Sequence, residues 1–470
     1  MMISKKIYQF AARVVLAYLR LFARISLRIY TPTIIGIAGA VGKTSTKHAL
    51  YAMLKDKAST TILPGNSETG IPLGILGIPI AGYGYGNWIR VLFKAPFGIF
   101  HLRNSRIQYL IAEMGTDAPY PPKNMSFLLS IIKPHIALFL NVTPTHIAFF
   151  EQAVKDSCQN KTKAALQIMA EEDGKIITAS HCKVGIYNAD NTYIHAVMEQ
   201  FRSSNSANEI PVLQTFGRDE TNTISYAHHT ISSTNTRFEY MLSIDEKKIA
   251  LALVFRNTIL PIEYRELFAA VLLTGLQLHI PIPEMCTAIE HNFSLPKGRS
   301  SVFCGINNST IIDSSYNSSP AAMHAFLTLT HELKQQHQSP LIVVCGDMNE
   351  LGGEAEAAHM EIARHIFTVA DECYCTGPLT RQYIMPLLTS LNKKEPHLQH
   401  LEWSENAKKI GELLRTRISQ GALVLVKGSQ GGIFLEEAIK QLLINKDDAH
   451  KLCRQESYWL AEKRKQGLNV

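Results

Sequence analysis

The residues best suited to chemistry in this chain form one short glycine-rich segment, Gly39-Ala40-Val41-Gly42-Lys43-Thr44-Ser45. Glycines let backbone N–H groups approach phosphate oxygens, and a helix N-terminus that follows them adds positive potential. In such a loop the lysine contacts the β- and γ-phosphates of a nucleotide and the threonine hydroxyl binds Mg²⁺. Ile37 stands where the common P-loop has its first glycine, so this is a shorter variant. The segment predicts a nucleotide site that includes Gly39, Gly42, Lys43, Thr44 and Ser45.

Two further polar residues follow apolar stretches. Glu113 ends the stretch that begins at Tyr109, and His146 comes shortly after Ile136–Val142. A carboxylate at the carboxyl end of a parallel strand is well placed to hold the magnesium of a P-loop, although a solvated loop glutamate is the alternative. A lone histidine is more often structural than a ligand. By residue type alone, Lys163 is a helix-surface lysine.

Short apolar stretches alternate with helical ones over the first part of the chain, which indicates an α/β domain with a largely parallel sheet. A strand over Thr33–Ala38 enters the glycine turn, and a helix begins at about Lys43. Residues 210–255 are rich in Thr and Ser and predict antiparallel strands in or beside this sheet. The other predicted elements are strands over Gln108–Met114, Ile136–Val142 and within Lys175–Asn188, and a helix over Glu266–Leu278.

Pro and Gly cluster at Leu295–Gly298, and a second series of strands and helices follows. This series predicts a smaller Rossmann-like unit. Its strands are expected over Ser309–Asp313, Leu341–Cys345, Glu372–Cys375 and Ala422–Val426. We therefore predict an N-terminal helix (1–32), a P-loop ATPase domain (33–296), a Rossmann-like C-terminal domain (297–446) and a helical tail (447–470).

The segment Ile7–Tyr30 is apolar but is interrupted by four arginines. Its longest stretch without a charged residue is therefore too short to span a bilayer. No small-residue cleavage site follows, which argues against a signal peptide. A basic amphipathic helix of this kind either packs on the protein's own body or a partner, or lies on an anionic membrane surface. Packing on the protein or a partner is the slightly favoured alternative, and residues 5–30 are the candidate segment for peripheral membrane contact.

The bulk composition is that of a globular enzyme: 470 residues, 46% of them hydrophobic and 19% charged. The net charge of +7 comes without a Lys/Arg tract interleaved with aromatics, so we expect no nucleic-acid partner. Eight cysteines contain no CxxC pair, which argues against zinc and favours a reducing compartment. We expect a cytoplasmic protein, at or near the inner face of the membrane, that acts as a monomer.

Together these segments resemble the Mur ligase family, and within it the branch that adds D-alanyl-D-alanine. The resemblance extends from residue 33 to about 440. Besides the glycine-rich segment, it rests on a series of ordered matches: Gly65–Leu73, Ala112–Gly115, Asn141–His146, Tyr187–Asp190, Thr215–Gly217, Lys297–Arg299, Asp313–Pro320, Gly346–Gly352, His359–Ala363 and Val424–Ser429.

The resemblance implies an ATP-dependent ligase that forms an amide bond in peptidoglycan precursor synthesis. A carboxylate is phosphorylated by ATP, and an amino acid or dipeptide amine then displaces the phosphate. Such chemistry depends on positioning and charge neutralisation. Lys43, Glu113, His146 and Lys163 are the implied catalytic residues. ATP and two Mg²⁺ ions are the implied cofactors, and the implied metal ligands are Thr44, Glu113, His146 and Lys163.

The same resemblance assigns further roles. Lys163 aligns with the lysine that the family converts to a carbamate, with Lys161 as the second candidate. Asn66 faces the phosphates and Asn188 lies near the adenine. Arg299 and Asp313 are expected on the nucleotide, and Tyr316, Asn317 and Lys427 are expected to line the cleft for the amine substrate.

Several positions depart from the family pattern. The UDP-sugar-binding domain that precedes the glycine-rich segment in the family is expected to be absent. Ala148 replaces an acid, Ile262–Ala270 lacks the family's His and Asn residues, and Ser314 and Gln430 replace an acid and an arginine. Two alternatives stay open: an amide ligase with a different carboxylate acceptor, and a nucleotide-binding scaffold without ligase activity.

Overall fold

The computed structural model describes residues 2–79, 85–144, 147–155, 160–206, 210–232, 235–244, 247–256, 258–349, 351–429 and 431–468, with the backbone alone for 2–11, 85 and 148. The chain divides into two compact units. The first comprises Met1–Ala227, Glu239–Leu253 and Arg265–Ser294, and the second comprises His228–Phe238, Val254–Tyr264 and Leu295–Val470. Both units are mixed α/β structures, which confirms the predicted fold class.

The first sheet has nine strands: β1 Thr33–Ala38, β2 Thr60–Ile62, β3 Tyr109–Glu113, β4 Ile136–Phe139, β5 Val184–Asn188, β6 Val212–Gly217, β7 Ile224–Ile231, β8 Asn235–Ile244 and β9 Lys247–Arg256. Their order is β2-β3-β1-β4-β5-β6-β7-β8-β9. All pairings from β2 to β7 are parallel. Because β1 lies between β3 and β4, the carboxyl ends of these three strands share one edge, where Glu113 and the glycine-rich segment meet.

The prediction of antiparallel strands over residues 210–255 is wrong for β6. This strand pairs in parallel with β5 and with β7. The polar residues that suggested otherwise reflect the partial exposure of β6, and exposure of a sheet face does not determine strand direction.

The second sheet has six strands: β10 Ser301–Gly305, β11 Ser309–Ser314, β12 Leu341–Cys345, β13 Glu372–Thr376, β14 His400–Ser404 and β15 Leu423–Lys427. Their order is β10-β11-β15-β12-β13-β14, and only β10 is antiparallel to its neighbour. The four central strands match the predicted Rossmann-like series. The two edge strands were not predicted, because short, half-exposed strands lack a continuous apolar run.

Helices cover both sheets. Their bounds are α1 Met2–Ile29, α2 Lys43–Leu54, α3 Gly70–Ile75, α4 Tyr85–Gly98, α5 His101–Asn104, α6 Met125–Leu129, α7 Ala148–Glu151, α8 Lys161–Thr178, α9 Thr192–Ser204, α10 Tyr264–Gln277, α11 Ile282–Asn292, α12 Pro320–His337, α13 Ala355–Val369, α14 Met385–Lys394, α15 Ala407–Arg417, α16 Glu436–Leu442 and α17 Ser457–Lys465. Short 3₁₀ turns cover Ile306–Asn308, Gly352–Glu354 and Lys446–Lys451, and one π turn covers Thr380–Ile384.

Helix α1 packs on the protein's own body. Leu19 and Ala23 on this helix are fully buried, and the Tyr18 hydroxyl donates a 3.1 Å hydrogen bond to the carbonyl of Leu92 in α4. The sequence left open whether this helix packs on the protein or lies on a membrane surface. The structure shows that Tyr18, Leu19 and Ala23 pack on the protein itself. In the described part of the chain, no helix combines the length and the apolar character needed to cross a bilayer.

The C-terminal segment is also integrated into the second unit. Lys463 on α17 is fully buried, and its Nζ lies 2.7 Å from a carboxylate oxygen of Glu436 and 2.6 Å from one of Glu437. A buried ammonium is tolerated only when carboxylates pair with it. Lys463, in the segment predicted as a helical tail, therefore belongs to a buried ionic cluster with Glu436 and Glu437.

Candidate active site

The glycine-rich segment adopts a conformation that needs its glycines. Gly39 and Gly42 have φ values of 134° and 84°, in the left-handed region that side chains avoid. A Cβ at Gly39 would also lie only 3.0 Å from the backbone nitrogen of Asn141. Gly42 is the N-cap residue of α2. The loop therefore leads directly into a helix N-terminus, which favours phosphate and other anions.

Asn141, just beyond β4, fixes the loop from the neighbouring strand. Its Oδ1 accepts a 2.9 Å hydrogen bond from Val41 N–H, and its Nδ2 donates to the Val41 carbonyl at 3.1 Å. Its own carbonyl accepts from Ala40 N–H at 3.0 Å. Sequence reasoning gave this residue no role of its own, although it begins the Asn141–His146 segment.

Lys43 and Thr44 start helix α2 beneath this loop. The Lys43 ammonium donates hydrogen bonds to the carbonyl oxygens of Gly39 and Ala40, the latter at 3.2 Å. The Thr44 hydroxyl lies 3.1 and 3.3 Å from the two carboxylate oxygens of Glu113. The structure thus brings Lys43, Thr44 and Glu113 together.

Glu113 is buried, and a second lysine contacts it. Lys47 Nζ lies 3.1 Å from Glu113 Oε2, and both side chains are less than one-tenth exposed. Asn66 Nδ2 approaches the other oxygen at 3.5 Å. Burial by itself raises the pKa of Glu113, but the charges of Lys47 and Lys43 and the hydrogen bonds from Lys47 and Thr44 outweigh it, so the pKa falls below its usual value. Glu113 is therefore an ionised carboxylate.

Sequence reasoning missed Lys47. One signal could have identified it: Lys47 follows Lys43 by four residues, and this spacing places two side chains on the same side of a helix.

A second buried carboxylate lies near the same loop. Asp173 on α8 accepts a hydrogen bond from the hydroxyl of Thr116, which follows β3. Burial raises the pKa of Asp173 to about 6, although the Thr116 hydrogen bond and the Lys43 charge oppose this. Asp173 was not predicted either. The signal for it is a run of three acidic residues, Glu171–Asp173, that follows the largely apolar first half of α8.

The donor set at Thr44 and Glu113 fits magnesium. Mg²⁺ prefers oxygen ligands and is commonly held by one or two carboxylates together with water and phosphates. Among the described residues, no group of three or more His, Cys, Asp or Glu side chains forms a metal site. His146, the predicted histidine ligand, lies outside the described residues.

The other residues predicted for the first unit lie apart from Glu113. Lys163 is exposed in the first turn of α8, where its backbone N–H donates to Asn160 Oδ1 at 2.9 Å. Asn188 is buried at the end of β5, and its Oδ1 accepts from Asp190 N–H at 2.9 Å. In the part of the chain that the structure describes, neither side chain contacts Glu113.

In the second unit, Lys427 ends β15 in a buried position. Its Nζ donates to Ser314 Oγ at 3.0 Å and to the Asn317 carbonyl at 3.1 Å, and it lies 4.9 Å from the centre of the Phe326 ring. Burial, together with the charge of Arg299, lowers the pKa of Lys427 to about 7. This lysine is therefore poised to exchange a proton near neutral pH.

Asp313, inside β11, and Tyr316, just beyond its end, lie near this lysine. Asp313 is fully buried, its Oδ1 accepts from Ser315 N–H at 3.0 Å, and no described residue donates to its Oδ2. Burial raises the pKa of Asp313 to about 6. The Arg299 guanidinium lies 4.8 Å from the centre of the Tyr316 ring. Five predicted residues, Arg299, Asp313, Tyr316, Asn317 and Lys427, thus form one cluster.

Sequence reasoning missed Arg454, which supports this cluster from the C-terminal segment. Its guanidinium donates to the Ser315 carbonyl at 2.8 Å and to both carboxylate oxygens of Glu436, at 3.0 and 2.6 Å. No local motif surrounds Arg454 that would have marked it.

The sequence is similar to two known domain families and to several known enzymes. Residues 37–256 match the Mur ligase middle domain, and residues 298–430 match the Mur ligase glutamate ligase domain. The UDP-N-acetylmuramoyl-tripeptide–D-alanyl-D-alanine ligase of Rickettsia prowazekii is 23% identical over 84% of this chain and 75% of its own length. The Bacillus subtilis enzyme of the same name is 24% identical over 91% of this chain and 79% of its own length.

Solved structures agree in fold. The MurF ligase from Thermotoga maritima, in complex with ADP, has a TM-score of 0.66 and 20% identity over 93% of this chain and 84% of that one. A MurF structure from Acinetobacter baumannii has a TM-score of 0.65 and 18% identity over 90% of this chain and 79% of that one. Because the two matched domains together span most of the chain, it belongs to the Mur ligase family of ATP-dependent amide-bond-forming ligases.

Proposed function

We propose that the chain adds D-alanyl-D-alanine to a UDP-N-acetylmuramoyl-tripeptide in peptidoglycan precursor synthesis. The observation that carries this proposal is the cluster of Lys43, Thr44 and Glu113 at the N-terminus of α2, in a chain whose relatives carry that activity in their names.

The chemistry proceeds in two displacements. An oxygen of the acceptor carboxylate attacks the γ-phosphorus of ATP, the bond to the β–γ bridging oxygen breaks, and ADP leaves. The amine nitrogen then attacks the acyl carbon, the C–O bond to the phosphate breaks, and the nitrogen gives up a proton. The loop N–H groups and the Lys43 ammonium bind the β- and γ-phosphates. Thr44 and Glu113 would hold a Mg²⁺ ion, which would supply neutralisation of phosphate charge.

The remaining assignments extend the proposal. Two Mg²⁺ ions are proposed, with His146 and a carbamate on Lys163 as further ligands, and the support for these two residues is the resemblance to the Mur ligase family. Asn66 is proposed to face the phosphates, because its amide already approaches Glu113. Asn188 is proposed near the adenine. Arg299 and Asp313 are assigned to the nucleotide, and Tyr316, Asn317 and Lys427 to the amine substrate.

We also propose that the protein acts as a cytoplasmic monomer with peripheral membrane contact at residues 5–30. The cysteines of the described residues are free thiols, which is typical of a reducing compartment.

The decisive experiment supplies ATP, Mg²⁺, the UDP-N-acetylmuramoyl-tripeptide and D-alanyl-D-alanine and measures both phosphate release and the mass of the product. We expect phosphate release that requires both the acceptor and the amine, and a product whose mass equals that of the two substrates less one water. If phosphate were released only with a different carboxylate acceptor, that acceptor would replace the UDP-N-acetylmuramoyl-tripeptide as the proposed substrate. Nucleotide binding without release under any combination would leave a scaffold and overturn the ligase proposal.

A further inference from the structure

Helix α4 presents a row of large apolar side chains to solvent. Ile89, Phe93 and Phe97 recur every four residues and are 59%, 73% and 80% exposed. At about 3.6 residues per turn, this spacing forms one stripe along the helix. Val91 and Ala95, on the opposite side, are buried. The helix is therefore apolar on both sides, and only one side is used in the fold.

The stripe continues beyond the end of the helix. Phe100 follows it with 42% of its side chain exposed. Single exposed apolar residues are ordinary on a protein surface, but adjoining ones are uncommon and indicate an interaction surface. Three phenylalanines supply a large apolar area that remains in contact with water in the isolated chain.

The charged residues of α4 and α5 all have one sign. Arg90 and Lys94 on α4 and Arg103 on α5 are exposed. From Thr69 to Ala112 the sequence contains no Asp or Glu. Protein interfaces normally carry few lysines at their apolar centre and surround it with charges of both signs. An apolar stripe bordered by cations alone fits the headgroup region of an anionic bilayer.

The neighbouring helix α1 adds to this charge. It also contains no acidic residue, and it packs beside α4 through Tyr18 and Leu92. Its cationic residues are Lys5, Lys6, Arg13, Arg20, Arg24 and Arg28. Leu19 and Ala23, on its inner side, are buried in the fold, so these two side chains are not available to lipid.

We propose that α4 is the membrane-inserting element of this protein. Phe93 and Phe97 enter the boundary between headgroups and acyl chains of an anionic bilayer, while Arg90 and Lys94 contact lipid phosphates. Helix α1 supplies long-range attraction without inserting its buried side. None of these residues belongs to the glycine-loop cluster, so the inference does not depend on the proposed ligase activity.

The test is co-sedimentation of the full chain with vesicles of phosphatidylcholine, with and without phosphatidylglycerol. We expect binding that requires phosphatidylglycerol and weakens as salt is added. Phe93→Ser/Phe97→Ser should weaken binding about tenfold or more, and Arg90→Gln/Lys94→Gln should do the same. The matched controls are Val212→Ser, exposed on β6, and Lys393→Gln/Lys394→Gln on α14, and both should bind like the parent.

Three outcomes would overturn the inference: no sedimentation of the parent with phosphatidylglycerol vesicles, equal binding to pure phosphatidylcholine, or equal losses in the controls. Light scattering adds a fourth, in which the parent is a dimer and Phe93→Ser/Phe97→Ser is a monomer, because a second copy would then cover the stripe. Thermal unfolding midpoints of all variants should match the parent, and this check of folding needs no enzymatic activity.

Discussion

Lys47 Nζ lies 3.1 Å from Glu113 Oε2 in a buried ion pair directly beneath the glycine-rich loop. The same carboxylate accepts from Thr44, so one buried anion joins the base of α2 to the end of β3. Removing one partner of a buried pair leaves the other charge uncompensated, which costs more than the pair contributes when intact.

Lys47→Met should therefore destabilise the protein by about 3–5 kcal/mol, because Glu113 loses its closest cation. The same change should raise the pKa of Glu113, and it should lower the Mg²⁺ concentration needed for half-maximal ATP turnover, because it removes a cation that competes with Mg²⁺ for this carboxylate. Urea unfolding and a magnesium titration measure the two effects. Lys57→Met is the control, because the Lys57–Glu284 pair is exposed and should contribute about 1 kcal/mol or less. Equal losses of unfolding free energy in Lys47→Met and Lys57→Met would show that the buried Lys47–Glu113 pair matters no more to stability than an exposed pair.

Lys43→Ala should reduce ATP turnover by at least about 10²-fold while the fold persists, because the loop backbone stays but the phosphates lose their cation. Initial rates of phosphate release and circular dichroism measure activity and fold. Lys55→Ala, an exposed change at the other end of α2, should leave the rate unchanged. Unaltered release from Lys43→Ala would remove the nucleotide assignment of the loop.

Asp173 should make the folded state less stable as pH rises from about 4 to about 6. Its pKa is raised to about 6 in the folded protein from 3.8, so the folded state binds more protons than the unfolded state in this window. Asp173→Asn should remove this decline and be more stable than the parent by roughly 2–3 kcal/mol above pH 6. Urea unfolding at a series of pH values measures it, and parallel stability curves for the two proteins would contradict the prediction.

Because the pKa of Lys427 is lowered to about 7, the rate of the enzyme should change with pH near 7. If the ammonium binds substrate, kcat/KM should fall as pH rises through about 7. Arg299→Gln should move this fall to higher pH, because it removes the charge that, after burial, most lowers the pKa of Lys427. Lys427→Arg should abolish the fall at reduced overall activity, since a guanidinium keeps its proton. Identical profiles for the parent and Lys427→Arg would exclude this lysine as the titrating group.

Lys163→Ala should be nearly inactive if a carbamate on Lys163 serves the metal site, and acetate should restore part of the activity by occupying the anion position. Lys163→Glu should retain activity without added acetate. Lys161→Ala is the matched control, since it removes a lysine from the same turn of α8. Carbon-13 NMR with labelled bicarbonate should show a carbamate signal that Lys163→Ala lacks. A plain ammonium at Lys163 under active conditions would contradict the assignment.

The central strands and the glycine-rich loop were predictable from the sequence. Strands β1, β12 and β15 are buried on both faces, so each is a continuous apolar run that needs no knowledge of its neighbours. The loop was predictable because left-handed backbone and close contact with Asn141 both require glycine at Gly39. The cluster around Lys427 followed from ordered motifs, although its contacts did not.

The tertiary structure alone decided which charges meet. Lys47, Asp173 and Arg454 each acquire a partner from another element, and the local signals at Lys47 and Asp173 do not specify that partner. It also decided which side of α4 faces water. Because that helix carries apolar residues on two opposite sides, its periodicity could not distinguish Val91, which is buried, from Phe93, which is exposed. Local patterns report the polarity of a segment, whereas burial and pairing depend on what the fold places against it.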